Sequence, residues 1–158
     1  MKLRDIVVEK AVLPTMTASK REDAINELLE ALVSAGAVSS DHQEEFRKAI
    51  LARERKGSTG FGHGVAVPHV KSSNLDDLKV AVGISADGID FNALDKQPVH
   101  SIFLLLSPED RPEDHIDAMT AIFGNLSKDQ FRRFLRQASS AEEILVLLEE
   151  ADSGQAVR

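Results

Sequence analysis

Arg53-Glu54-Arg55-Lys56-Gly57-Ser58-Thr59-Gly60-Phe61-Gly62-His63-Gly64-Val65-Ala66-Val67-Pro68-His69 runs from a charged, helix-patterned segment through a glycine-rich turn into a short apolar run. Four glycines within eight residues give backbone that can turn sharply and aim N–H groups into one concavity. Val65-Ala66-Val67 reads as a buried strand, and Pro68 stops it because proline has no N–H to extend the ladder. His69 then lies at a strand end, beside the glycine-rich loop and a cluster of arginines. A titratable nucleophile next to anion-binding groups points to phosphoryl chemistry.

Composition limits what that chemistry can be attached to. With 158 residues, 42% of them hydrophobic, the chain forms one domain with enough material for a core. The net charge of −7 is spread along the sequence without a basic run, which argues against a sequence-independent grip on nucleic acid. Trp and Tyr, which stack bases in single-strand binders, are absent. No apolar run approaches a membrane span, and the N-terminus lacks a signal-peptide pattern. Without cysteine there are no disulfides, thiolate metal ligands or cysteine nucleophiles. The expectation is a soluble, cytoplasmic protein without membrane insertion.

Residues 1–13 read as a short helical lead-in followed by an edge strand. Ser19-Lys20-Arg21-Glu22 has the form of a capping box. Ile25, Leu28, Leu29, Leu32 and Val33 then recur at helical spacing up to Gly36, a suitable residue for a helix end. A second helix starts near Ser39 or Ser40, with Phe46, Ala49 and Ile50 inward. Residues 79–84 and 99–106 are apolar runs of strand length, and Leu104-Leu105-Leu106 suits a strand covered on both faces. Residues 112–126 are helical, with Ile116, Met119, Phe123 and Leu126 in register. Capping boxes at Ser127-x-x-Gln130 and Ser140-x-x-Glu143 open two terminal helices. Residues 1–152 form the domain and residues 153–158 a frayed tail. Helices before, between and after buried strands predict an α/β fold, a sheet sandwiched by α-helices.

Helical arithmetic separates the arginines. Phe46, Ala49, Ile50 and Arg53 fall at i, i+3, i+4 and i+7, so the spacing carries Arg53 along the apolar stripe and Arg55 to the opposite side. A guanidinium there would meet a phosphoryl group bidentately, pair with an internal carboxylate, or reach out to solvent at the helix end. Spacing leaves these readings open. His115 lies in the first turn of its helix, where the positive dipole end lowers a histidine pKa and favours an anion. It could also be an ordinary surface histidine. His42 and His100 read as structural.

His63 precedes His69 by six residues, about 20 Å along an extended strand, too far to share a metal ion unless the glycines fold the chain back. No metal site is expected. The glycines also fail the P-loop and dinucleotide patterns: no Lys-Ser/Thr follows the last glycine, and no glycine follows Gly62 at the required spacing.

The quoted stretch resembles the active-site signature of enzyme IIA domains of the bacterial sugar phosphotransferase system, in the fructose–mannitol class that includes nitrogen-regulatory paralogues. Two later segments agree: Gly88-Ile89-Asp90-Phe91 with Pro98-Val99-His100 and Phe103-Leu104-Leu105-Leu106, and His115-Ile116 with Met119. The resemblance covers roughly residues 3–150. It implies a single domain with a mixed, five-stranded sheet, with His69 as phosphoryl acceptor, His115 as its partner histidine and Arg53 as the phosphate-stabilising arginine. Ser58, Thr59 and Gly60 would belong to the loop lining the phosphate site, with Val70 beside the acceptor. Val70 departs from the small residue often found there, which narrows the approach without removing the chemistry. His63 falls where the family varies and carries no assigned role.

The implied activity is that of a phosphotransferase with a phosphohistidine intermediate and no cofactor. Its donor would be the histidine phosphocarrier protein in the relay from phosphoenolpyruvate. Two roles follow: a nitrogen-type signalling carrier acting on regulatory target proteins, or a IIA subunit passing phosphate to a cysteine on a separate IIB protein for fructose- or mannitol-type uptake. The signature looks closest to the nitrogen-regulatory branch. A domain degenerate for phosphorylation is disfavoured by the presence of all three site residues.

Overall fold

In the computed structural model, which describes residues 1–154, a mixed sheet is covered by helices on both faces. The chain opens with α1 (Leu3–Ile6) and β1 (Val7–Leu13), then α2 (Arg21–Ser34), a 3₁₀ turn at Ser40–His42 and α3 (Gln43–Lys56). Three short strands follow, β2 (Gly60–Gly62), β3 (Val65–Ala66) and β4 (His69–Ser72), then the long β5 (Lys79–Ile89) and β6 (Val99–Pro108). Helices α4 (Pro112–Leu126), α5 (Asp129–Gln137) and α6 (Ala141–Ser153) complete the domain. Of the expected tail, Ser153 ends α6, Gly154 closes it at φ 72°, and the other residues lie outside those described. No helix among the described residues is long and apolar enough to cross a membrane.

The sheet is mixed as expected, and its six strands among the described residues fill five lanes, the number the resemblance implied. β1 pairs parallel with β5, β5 antiparallel with β6, and both β3 and β4 parallel with β6, while β2 pairs antiparallel with β3. The sixth strand arises at proline. Val65 and Ala66 pair with Ser101 and Ile102, and His69 to Ser72 with Leu105 to Pro108, so the offset of 36 residues is unchanged on both sides of Pro68. β3 and β4 share one lane of the sheet, interrupted where proline cannot donate. The lane stays anchored because the Pro68 carbonyl accepts from the Leu105 N–H at 3.0 Å.

Strand alternation sorts the core into two layers. Phe103 and Leu105 of β6 pack with Val65, Val67, Val80 and Val82 under α4, α5 and α6. Ile102, Leu104 and Leu106 pack with Ala66 and Ala81 under α2 and α3. The unbroken apolar run in β6 is therefore that of a strand buried on both faces.

Three local expectations differ. Only one of the three capping boxes forms: Ser140 Oγ accepts from the Glu143 N–H at 3.1 Å. The boxes at Ser19 and Ser127 fail because Lys20 and Lys128 occupy the N-cap positions. Ser127 instead ends α4, donating to the Gly124 carbonyl at 2.9 Å, and the amides before α2 are taken by Glu27. In α4 the inward residues are His115, Ala118, Ile122 and Leu126; Ile116 is 62% exposed. That face is rotated by one residue from the one hydrophobicity picks out, and the rotation buries His115. In α3, Glu54 continues inward from Ile50 at i+4, and Arg53, one residue short, turns away by about 100° and is exposed.

Ser140→Ala is expected to lower stability by about 1 kcal/mol in urea denaturation, and Ser19→Ala to change it by less than about 0.5 kcal/mol, since only the first removes a cap.

Candidate active site

His69 begins β4 on the face that carries Val65 and Val67, because the alternation continues in phase across Pro68. The same alternation places Lys71 on that face, paired with Ser107 of β6. The chain leaves β6 and turns into α4, whose first turn brings His115 back over the strand. The His69 and His115 rings stand with centroids 5.7 Å apart and planes inclined at 53°. Histidines 46 residues apart thus meet at the ends of adjacent strands in one sheet.

Their surroundings differ. His69 is half-buried, and its Nδ1 lies 2.8 Å from the Val67 carbonyl oxygen. A carbonyl only accepts, so Nδ1 carries the proton and Nε2 presents its lone pair. His115 is buried, with Nδ1 at 2.7 Å from Ser107 Oγ. Burial first, then the charge of Lys71 and the electrostatic influence of the neighbouring His69 ring, push its pKa down to about 4. At neutral pH His115 is an uncharged imidazole. Lys71 is exposed and has no hydrogen bond or ion pair among the described residues, which leaves an ammonium beside the histidine pair.

The glycine-rich loop is organised by a group that the sequence reading passed over. Glu54 is buried; its carboxylate accepts from the Thr59 N–H at 3.0 Å and from the Thr59 hydroxyl, and its other close charge is Arg21 at 3.9 Å. Ser58 Oγ accepts from the Gly60 N–H at 3.0 Å and lies 3.4 Å from the Phe91 carbonyl. The amides of Thr59 and Gly60 are thus committed inside the loop and are not open donors. Gly60 admits no side chain, since a Cβ there would lie 2.9 Å from the Ala93 Cβ. Phe61 packs on Phe123 of α4 at 5.0 Å between centroids, which ties the loop to the helix bearing His115. The signal that could have found Glu54 is its place four residues after Ile50.

Arg53 is exposed at the end of α3 and donates from Nη1 to the Gly57 carbonyl at 2.8 Å. This answers the open question about its partner: a loop carbonyl at the surface, with no buried carboxylate. Arg55 lines a separate cleft with Lys20, Glu22 and Asp90. Val70 points to the opposite layer and packs, partly buried, against Leu106 and its neighbours, so it neighbours His69 along the chain without sharing its face. His63 is exposed in the hairpin turn between β2 and β3, where it and Gly64 both have positive φ, at 59° and 73°. His100 donates or accepts through Nδ1 at 2.9 Å from the Ser85 carbonyl; as the carbonyl accepts, the histidine donates. Neither joins the pair.

Glu54→Gln is expected to cost about 1–3 kcal/mol, because it replaces one of the two oxygens that accept from Thr59 with an NH2 that can only donate. Urea denaturation measures the loss, and faster hydrogen exchange at Thr59 locates it. His115, whose pKa falls from about 6.5 unfolded to about 4 folded, makes the unfolded chain bind more protons between those values. Its contribution to stability is complete above pH 6.5 and is lost as pH falls toward 4. Histidine NMR titration should show its ring neutral down to about pH 4.

Residues 5–151 match the family model described as the phosphoenolpyruvate-dependent sugar phosphotransferase system, EIIA 2. The chain is 31% identical over 148 residues to a nitrogen regulatory protein of Bradyrhizobium diazoefficiens, covering 94% of this chain and 95% of that one. It is 29% identical over 152 residues to the fructose-specific EIIABC component of Bacillus subtilis, covering 96% of this chain but only 24% of that protein. The crystal structure of nitrogen regulatory protein IIA-Ntr from Neisseria meningitidis superposes with a TM-score of 0.81 at 29% identity, over 92% of this chain and 98% of that one. Nitrogen-regulatory and sugar-specific relatives thus share this fold, and the chain belongs to the EIIA type 2 family of the phosphoenolpyruvate-dependent sugar phosphotransferase system.

Proposed function

We propose that the chain is a phosphohistidine carrier in which His69 Nε2 accepts the phosphoryl group from the histidine phosphocarrier protein. The observation that carries this reading is the His69 Nδ1–H donated to the Val67 carbonyl, which fixes the lone pair on Nε2 at the exposed strand end. In the transfer, that lone pair forms the new N–P bond as the donor's N–P bond breaks and its electron pair returns to the donor imidazole. Nδ1 keeps its proton throughout, so no general base is needed. Such transfer asks the protein for positioning and charge stabilisation. His115 supplies a second ring at the phosphoryl position, Lys71 a free ammonium, and Arg53 a guanidinium with most of its N–H donors uncommitted. The loop held by Glu54 gives the rigid edge of the site. His69 is half-buried and Lys71 and Arg53 are exposed, so a second protein's phosphohistidine can reach the acceptor.

A fructose-specific EIIA component matches the sequence over 83% of its length, as the nitrogen regulatory relative does over 95%. A nitrogen-type regulatory role is favoured over sugar uptake on the superposition, at a TM-score of 0.81 for IIA-Ntr against 0.74 for IIA mannitol. In that role, phosphorylation adds up to two negative charges to one patch of an acidic surface and so changes which partner docks there. The 158 residues contain no cysteine, so in the uptake reading the IIB cysteine belongs outside them.

Incubation with phosphoenolpyruvate, enzyme I and the phosphocarrier protein is expected to give one acid-labile adduct, absent from His69→Ala and formed more slowly by His115→Ala. An adduct persisting in His69→Ala would overturn the assignment. A fructose-class IIB protein added to the loaded carrier should drain it slowly, whereas drainage as fast as loading would make uptake the role.

A further inference from the structure

Ser107, next to last in β6, is fully inaccessible, and among the described residues His115 Nδ1 at 2.7 Å is the one hydrogen-bond partner of its side chain. Two proton arrangements give that contact. If Nδ1–H donated to the hydroxyl, the serine O–H would point into a dry interior with no acceptor, an orphaned donor of the kind folded proteins avoid. If the hydroxyl donates to Nδ1, the serine proton is used, and the ring's own proton sits on Nε2, which is not among the buried unpartnered side-chain atoms of the described residues. Donor accounting therefore favours Ser107 as donor. A neutral ring that accepts at Nδ1 carries its proton on Nε2. Its charge state follows from its surroundings: the ring is 7% exposed, Lys71 and His69 are the cationic or ionisable groups facing it from β4, and no carboxylate pairs with it.

The two histidines then hold opposite tautomers. His69 has Nδ1–H and a free Nε2, set by the Val67 carbonyl, while His115 has a filled Nδ1 and an Nε2–H, set by Ser107. We propose that Ser107 is a positioning residue that locks His115 in the Nε2–H tautomer, making it a neutral hydrogen-bond donor toward a phosphoryl group on His69. This rests on the reading of His69 as acceptor. Phosphoryl oxygens only accept hydrogen bonds, so the other tautomer would meet them with a lone pair and repel them. The His115 proton is shared in a hydrogen bond and is not transferred, which lets the group leave His69 again without a proton to recover.

The test combines tautomer and rate on the whole chain. Long-range proton–nitrogen NMR of histidine-labelled protein at neutral pH needs no phosphoryl donor and reads each ring directly. Wild type and Ser107→Thr are expected to show His115 protonated at Nε2; Ser107→Ala should show Nδ1–H or a mixture. Single-turnover transfer from the phosphorylated phosphocarrier protein should fall about ten-fold or more in Ser107→Ala and recover in Ser107→Thr, as expected for a weakened charge-assisted hydrogen bond. Wild-type His115 protonated at Nδ1 would overturn the proposal, as would an unchanged tautomer in Ser107→Ala, whether or not the rate fell. Failure of the acceptor assignment would show differently, as an adduct surviving in His69→Ala.

Discussion

The parallel pairing of the lane Val65–Ser72 with β6 is the constraint on which the site depends. Because the register is the same on both sides of Pro68, the alternation of faces that buries Val65 and Val67 also delivers His69 and Lys71 to the layer beneath α4. A one-residue slip would move both to the α3 face, away from His115. Proline here does two things at once. It interrupts the donor ladder just before the half-buried His69 ring, and it leaves the Val67 and Pro68 carbonyls to different tasks: one holds the His69 ring, the other holds the strand.

The electrostatics of the site oppose those of the molecule. The chain carries −7 overall, yet the charge acting on the His115 ring from β4 is the ammonium of Lys71, and the ring itself is kept neutral by burial. Keeping His115 uncharged serves a carrier better than an imidazolium would. On the proposed reading, a full charge would bind the phosphoryl group tightly, whereas a neutral N–H would stabilise it modestly and allow onward transfer. The buried Glu54 shows a related economy. A carboxylate in the core is costly unless satisfied, and here its acceptors take the Thr59 amide and hydroxyl that would otherwise be orphaned in a tight loop.

Much was legible in the sequence because local rules were sufficient. The apolar runs at 79–84 and 99–106, the helix at 112–126 and the turn before Pro68 follow from period, length and proline chemistry, and the structure bears them out with strands extended by a few residues. Capping signals were less reliable. Ser19 and Ser127 had the right spacing, but lysines took the cap positions because tertiary contacts, Arg21 N–H to the Asp90 carbonyl in one case, set where each helix begins.

The sequence by itself determined the α/β layering, the break in the strand at Pro68 and the family signature, since these depend on residue types and spacings within a few turns or strands; that pairing resumes at His69 it did not show. It could not determine which face of α4 is inward or which residue of the Arg53–Glu54 pair is buried. Hydrophobicity chose Ile116 and Arg53's stripe, and packing chose His115 and Glu54. The reason is that a helix rotates to satisfy every group it brings to the sheet. Ser107 and the Thr59 amide, both supplied from elsewhere in the chain, make a polar residue the better one to bury at each position.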